Sequence, residues 1–182
     1  MNDYVSLLRG LNVGGNNKVS MAELKEVYKD FGFNNIETIG NTGVIFFETD
    51  KEIDDNELGI KLTNYFGFGI TLITLNDKEI EYLINNKPEW WQEREDWKYN
   101  VIFTIGDFVI EEVINDYEFE NDKDKVSIIN NVLFWAVNYS DRKIFYKSKY
   151  HKLGKNKYYK RITIRNGNTL AKMHKKFNER NK

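Results

Sequence analysis

The 182-residue chain has no cysteine, a single proline and only two histidines. Without thiols there can be no disulfide, thiolate nucleophile or cysteine-held zinc. With His151 and His174 alone, a histidine-rich metal centre is excluded too, and neither metal nor cofactor is expected. Long hydrophobic runs are also missing. VLFWAV, Val132 to Val137, falls far short of what a bilayer requires. The opening MNDYVSLL lacks the basic and then apolar layout of a secretion signal. The expectation is a cytoplasmic protein with no membrane partner. Hydrophobic residues at 41% and aromatics at 15% supply enough apolar surface for a packed core.

Net charge is nearly absent overall, at −1, but charge is strongly segregated. Residues 142–182 hold 15 Lys/Arg against one acid, Glu179, a balance of +14. Residues 48–125 hold 21 Asp/Glu against 8 Lys/Arg, a balance of −13. Such asymmetry suits either a cationic surface for a polyanion or two regions that attract each other.

The apolar pattern reads as a series of short elements. Tyr4 to Arg9 alternates as a strand, and Gly10, Gly14 and Gly15 interrupt it. Ser20 with Glu23 forms a capping-box signature before a helix carrying Met21, Leu24, Val27, Tyr28 and Phe31, which Gly32 ends. A strand near Ile36, a turn at Gly40 to Gly43 and VIFFE from Val44 make a hairpin. A second helix starts at Asp54 or Asp55 and ends at Gly67, and ITLITL from Ile70 is a strand. The order β-α-β-β-α-β over residues 1–76 is that of a ferredoxin-like subdomain, whose sheet has a second face open unless something covers it.

Residues 77–97 read as a helix from Asp77 and an irregular link with Trp90, Trp91 and Trp97. Residues 98–182 form a second α+β region with a basic C-terminal segment. The strand Tyr99 to Ile105 precedes a predicted helix from Phe108 to Asn115. Val126 to Ile129 and Val132 to Tyr139 flank a tight Asn130-Asn131 turn. RITIRN, Arg161 to Asn166, is a strand, and Asn168 is expected to cap a last helix. No internal repeat is visible by residue identity.

The turn GLNVGGNNKVS, Gly10 to Ser20, matches neither nucleotide motif. Asn16 stands where a P-loop needs lysine, and the glycines do not have dinucleotide-fold spacing. A glycine turn with Arg9, Asn12, Gly14, Gly15 and Lys18 remains suited to an anion beside a helix start. The opposing reading gives the glycines a purely conformational role.

YVSLLRGLNVGGNNKVSMAELKEVYKDFGFNNIETI resembles the opening of the domain-of-unknown-function 1697 family, with its pattern LLRGINVGG-x-x-K-V-x-M-x-x-L. TIRNGNT, Thr163 to Thr169, is similar to that family's T-x-RN-x-x-T signature. Where the family has S-G-N before the second hairpin strand, this chain has Thr42, Gly43 and Val44, with Asn41 close by. The resemblance implies two α/β-plait subdomains, an α+β fold. It implies no reaction, cofactor or substrate.

A second candidate site combines Tyr150, His151, Arg161, Arg165 and Asn166. In a strand Arg161, Thr163 and Arg165 project to one face, and guanidinium forks grip phosphate bidentately. His151 is a candidate general base without an identified partner, so the sequence provides no convincing catalytic pair. The leading expectation is a small anionic or phosphate-bearing ligand held between the two subdomains. The alternative partner is nucleic acid, bound by the basic segment with Phe145, Tyr146, Tyr150, Tyr158 and Tyr159.

Overall fold

A computed structural model describes residues 1–12 and 17–182. They divide into two units: residues 1–81 with 172–182, and residues 82–171.

Unit 1 contains β1 (Asn2–Arg9), α1 (Met21–Asp30), β2 (Asn34–Thr38), β3 (Val44–Thr49), α2 (Asp55–Phe66) and β4 (Thr71–Asn76). Its antiparallel sheet has the order β2-β3-β1-β4. This is the ferredoxin-like plait. The helices begin where capping chemistry demands. The Ser20 hydroxyl accepts the Glu23 amide at 3.1 Å, and Asp54 accepts the Asn56 and Glu57 amides at 2.9 and 3.0 Å. α2 stops at Gly67, whose φ of +78° is open to glycine at little strain. Leu24, Val27 and Tyr28 of α1 and Leu58 and Leu62 of α2 pack on Leu8, Ile45, Phe47 and Leu72.

Period-two alternation sends Val5, Leu7, Val44 and Phe46 to the opposite face of that sheet, and all four are fully buried. The second face is therefore covered. Phe177 meets Phe46 edge-on with ring centroids 5.0 Å apart. Arg180 secures the same helix end. It donates to Asp3 at 2.8 and 3.0 Å and to Glu37 at 2.8 Å, with Glu48 at 3.7 Å. Its side chain is 2% exposed. Burial alone would lower the guanidinium pKa, but Asp3 and then Glu37 hold it above its ordinary value. Lys176 pairs with Glu37 as well.

Unit 2 repeats the topology. It contains β5 (Trp97–Thr104), α4 (Glu111–Ile114), β6 (Asp124–Ile129), β7 (Val132–Asn138), α5 (Arg142–Lys147), α6 (Lys149–Lys152) and β8 (Ile162–Asn166). Its antiparallel order β6-β7-β5-β8 is that of unit 1 strand for strand. Each fourth strand runs directly into a helix: β4 into α3 (Asp77–Asn85), β8 into α7 (Gly167–Arg180). The boundaries between units fall inside these two helices. Both helices are capped by the last residue of the preceding strand. Asn76 and Glu79 exchange side-chain to backbone bonds at 2.8 and 2.9 Å, a reciprocal capping box. Asn166 accepts the Asn168 amide at 2.9 Å. The cap of α7 is thus Asn166 rather than Asn168, which lies one residue inside the helix.

The helix expected from Phe108 to Asn115 shrinks to the single turn α4. Asn131 of the β6–β7 hairpin accepts the Ile110 amide at 2.7 Å and donates to the Phe108 carbonyl at 3.1 Å, while the Glu112 amide turns to the Val109 carbonyl. Asn130 and Asn131 have φ of 48° and 59°, the mirror-image turn that matches strand twist. On the helix side Trp135 centres a core with Ile102, Ile110, Leu133, Leu153 and Ile162. On the other side Trp91 packs edge-on against Phe134 and Tyr99 at 4.9 and 5.2 Å. A Cβ on Gly167 would come within 2.7 Å of the Trp91 ring, so that close approach requires glycine.

Candidate functional surfaces

The Gly10–Ser20 turn ties itself together. The Asn12 amide donates to the Asn17 carbonyl at 3.0 Å, and the Asn17 side chain donates to the Gly10 carbonyl at 3.0 Å. The Asn12 carboxamide both accepts from and donates to the Val19 backbone, at 2.9 and 3.1 Å. Both polar ends of Asn12 are thereby engaged in closing the turn. Gly10 sits at φ +98°, where a Cβ would meet the Gly69 carbonyl oxygen at 2.7 Å. Arg9 is half-buried opposite Thr71 at the end of β1, and Lys18 is exposed. Gly14 and Gly15 lie outside the described residues.

Strand β8 separates the two arginines expected to share a face. Arg161 precedes the strand in a 3-10 turn, exposed, with its guanidinium carbon 4.5 Å from the Phe108 ring centre and a bond to the Asp107 carbonyl at 3.2 Å. Arg165 pairs with Val101 in the sheet and is only 9% exposed. It donates to Thr163 Oγ1 at 2.8 Å and to the Ile164 carbonyl at 2.9 Å. Burial pushes its guanidinium down to about 10.

Tyr150 and His151 sit on α6, whose first amides are held by an acid that local sequence does not announce. Asp124, 1% exposed, accepts from the Lys149 amide at 2.7 Å, the Tyr150 amide at 3.3 Å and Trp135 Nε1 at 2.8 Å. A carboxylate from 25 residues upstream thus occupies the donor end of this helix. The Tyr150 ring stands edge-on to Trp135 at 5.5 Å, and burial, with Tyr159 adding to it, pushes its hydroxyl up to about 12. Tyr150 is a core residue of unit 2. His151 is exposed.

The outward cations of unit 2 form the most conspicuous remaining feature. Residues 142–161 contain nine Lys/Arg and no acid. Among the described residues, none of these nine takes part in an ion pair, whereas Lys175, Lys176 and Arg180 further on all do. Rings lie among them: Tyr139 meets the half-buried Phe145, and Phe145, Tyr146 and His151 meet one another. Lys98 and Tyr139, which come from strands β5 and just after β7, join this group only through the fold. Their sequence neighbourhoods carry no sign of it. Among the described residues no three His, Asp or Glu cluster in a way that could hold a metal ion, and no helix is long and apolar enough to cross a membrane.

The family model for a protein of unknown function, DUF1697, matches residues 1–134. The chain belongs to the DUF1697 family. It is also similar to the solved structure of the conserved bacterial protein SP0830 from Streptococcus pneumoniae, at 29% identity and a TM-score of 0.81. That similarity covers 96% of this chain and 97% of the other. No curated protein matches. In this DUF1697 member the two motif-bearing ends have clear work within the fold. The opening turn is closed by Asn12 and Asn17, and in TIRN the Thr163 hydroxyl accepts from Arg165 while Asn166 caps α7.

Proposed function

We propose that the protein binds a phosphate-bearing ligand through the basic segment of unit 2, residues 142–161. The observation that supports this reading is the row of nine cations without ion-pair partners among the described residues. A cationic surface lacking internal acids keeps its attraction for an outside anion. Arg161 belongs to this site, and His151 lies at its margin. Tyr150, Arg165 and Asn166 support it from inside the fold. In unit 1 the exposed Lys18 is the contact of the Gly10–Ser20 turn best placed to meet an anion. Arg9, Asn12, Gly14 and Gly15 would shape that turn around it.

Inorganic polyphosphate provides the test, titrated at several salt concentrations. Binding should weaken steeply with salt as released counterions are recovered. Lys143→Glu with Lys147→Glu should weaken it further, and Lys18→Glu reports separately on unit 1. Unchanged affinity in the paired charge reversal, or no binding at low salt, would sink the reading.

A further inference from the structure

Tyr139, Phe145, Tyr146 and His151 make a continuous array of ring contacts, three edge-on and one, Phe145–Tyr146, tilted. The ring centroids lie 4.9 Å apart for Tyr139–Phe145, 5.8 Å for Phe145–Tyr146, 5.3 Å for Phe145–His151 and 5.0 Å for Tyr146–His151. Lys98 Nζ stands 3.4 Å from the Tyr139 ring centre. Rings of this kind ordinarily contribute to a core, yet Tyr139 is 44% and Tyr146 56% exposed. The array is held in place from below. Ser148 accepts the His151 amide at 3.2 Å and donates to the Phe145 carbonyl at 2.7 Å, fixing the break between α5 and α6. Asp141 caps α5 by accepting the Lys143 amide at 2.5 Å.

Phosphate alone has no use for exposed rings, and an acidic peptide has little. A base presents a π-face for stacking and a phosphate for the neighbouring cations, so both features of this surface find a partner in it. Duplexes keep their base faces stacked inside, so they offer phosphates, sugars and groove edges but no face for a ring to stack on. We infer that this ring array, flanked by Arg142, Lys143 and Lys147, is a stacking platform for single-stranded nucleic acid. The inference rests on the phosphate-binding reading of the same segment. It differs from the way plait domains commonly use their sheet. Here the corresponding face carries the buried Phe46 in unit 1, and Trp91 against Phe134 in unit 2. The platform sits instead on the helix and loop side of the chain after β7. Stacking without contacts to base edges predicts tolerance of sequence.

Fluorescence anisotropy of the full chain with single-stranded oligonucleotides of about 12 nucleotides tests this, with matched duplex, polyphosphate and polyglutamate as comparators. The single strand should bind tightest. Tyr139→Ala with Tyr146→Ala should weaken it by about 5- to 150-fold, the loss of one stacked base, and leave polyphosphate unchanged. Tyr146→Phe should keep most of the affinity. Both side chains are exposed, and an unchanged thermal melt verifies that the variants fold. If single strands and polyphosphate bind alike and the double variant affects neither, the platform is overturned while phosphate binding stands. Equal or tighter binding of polyglutamate or duplex overturns it also. If nothing binds, the phosphate reading itself fails.

Discussion

Units 1 and 2 have sheets of the same strand order, yet the helices laid on those sheets differ greatly. Unit 1 uses two well-capped helices of 10 and 12 residues. Unit 2 replaces them with a four-residue turn and a pair of short helices of six and four residues. Cations are treated differently as well. In unit 1, Lys176 and Arg180 are consumed by Asp3, Glu37 and Glu48. In unit 2, eight of the nine cations of the segment after β7 are exposed and Lys149 is half-buried. The plait is thus specified by strand pairing and by the asparagine ending each fourth strand, while the connections are open to variation. The unit with less regular connections is the one with a surface to offer.

The largest expected effect falls on the buried acid that organises those connections. Asp124→Ala would leave Trp135 Nε1 and the Lys149 and Tyr150 amides without an acceptor. A loss of about 3–5 kcal/mol in urea unfolding should follow, with faster hydrogen exchange around Lys149. Arg180→Ala attacks unit 1 in the equivalent sense, stranding Asp3 and Glu37. It should cost about 2–4 kcal/mol, the cost falling with added salt if charge separation dominates. Gly167→Ala forces a methyl against the Trp91 ring and should lower stability by about 1–2 kcal/mol, after the better helix propensity of alanine is counted.

The smallest effect sharpens the contrast between the buried Asp124 of unit 2 and the half-buried Asp55 of unit 1. Unlike Asp124, Asp55 in unit 1 has one oxygen, Oδ2, bonded to the Thr74 amide at 3.0 Å and a buried Oδ1 with no hydrogen-bond partner among the described residues. Burial raises its carboxyl above the ordinary range, against the opposing pull of Thr74. Its folded pKa is the higher one, so its stabilising contribution is complete below the unfolded pKa and is lost as pH climbs through the folded value. Asp55→Asn should therefore raise the urea midpoint at pH 7 by a gain under about 1 kcal/mol, and that gain should vanish near pH 4. An unchanged difference across the range would show that the carboxyl is not strained by burial.

Much of unit 1 was readable because its signals are local. Ser20, Asp54 and Gly67 sit where capping chemistry places them, and VIFFE declares a strand by composition alone. The Asn130-Asn131 turn was equally plain. The second plait was expected only through the family resemblance, since equivalent strand order needs no shared residues. RKIFYKSKYHK has no sustained period, because the helix breaks at Ser148 and its second piece, α6, is held by Asp124 from far upstream. Strand parity placed Thr163 and Arg165 on one face correctly, but that face is buried. Trp91, 74 positions before Arg165, lies on the same side of the sheet. The cap of α7 was misplaced by two residues because Asn166 and Asn168 both have the side chain for it. Which cations stay unpaired is a tertiary outcome, invisible in a charge count.

The division of the chain inside α7 has a consequence for how the protein is made. Unit 2 is one unbroken stretch, and all of its strands are available once residue 166 has left the ribosome. Unit 1 is begun first and completed last. Asp3 waits through 177 residues of synthesis for Arg180, and Phe46 waits through 131 for Phe177. Its apolar second face lacks this cover in the nascent chain until Phe177 has been made. The half whose strands are made first is therefore the half that depends on residues 172–182 to close its second face.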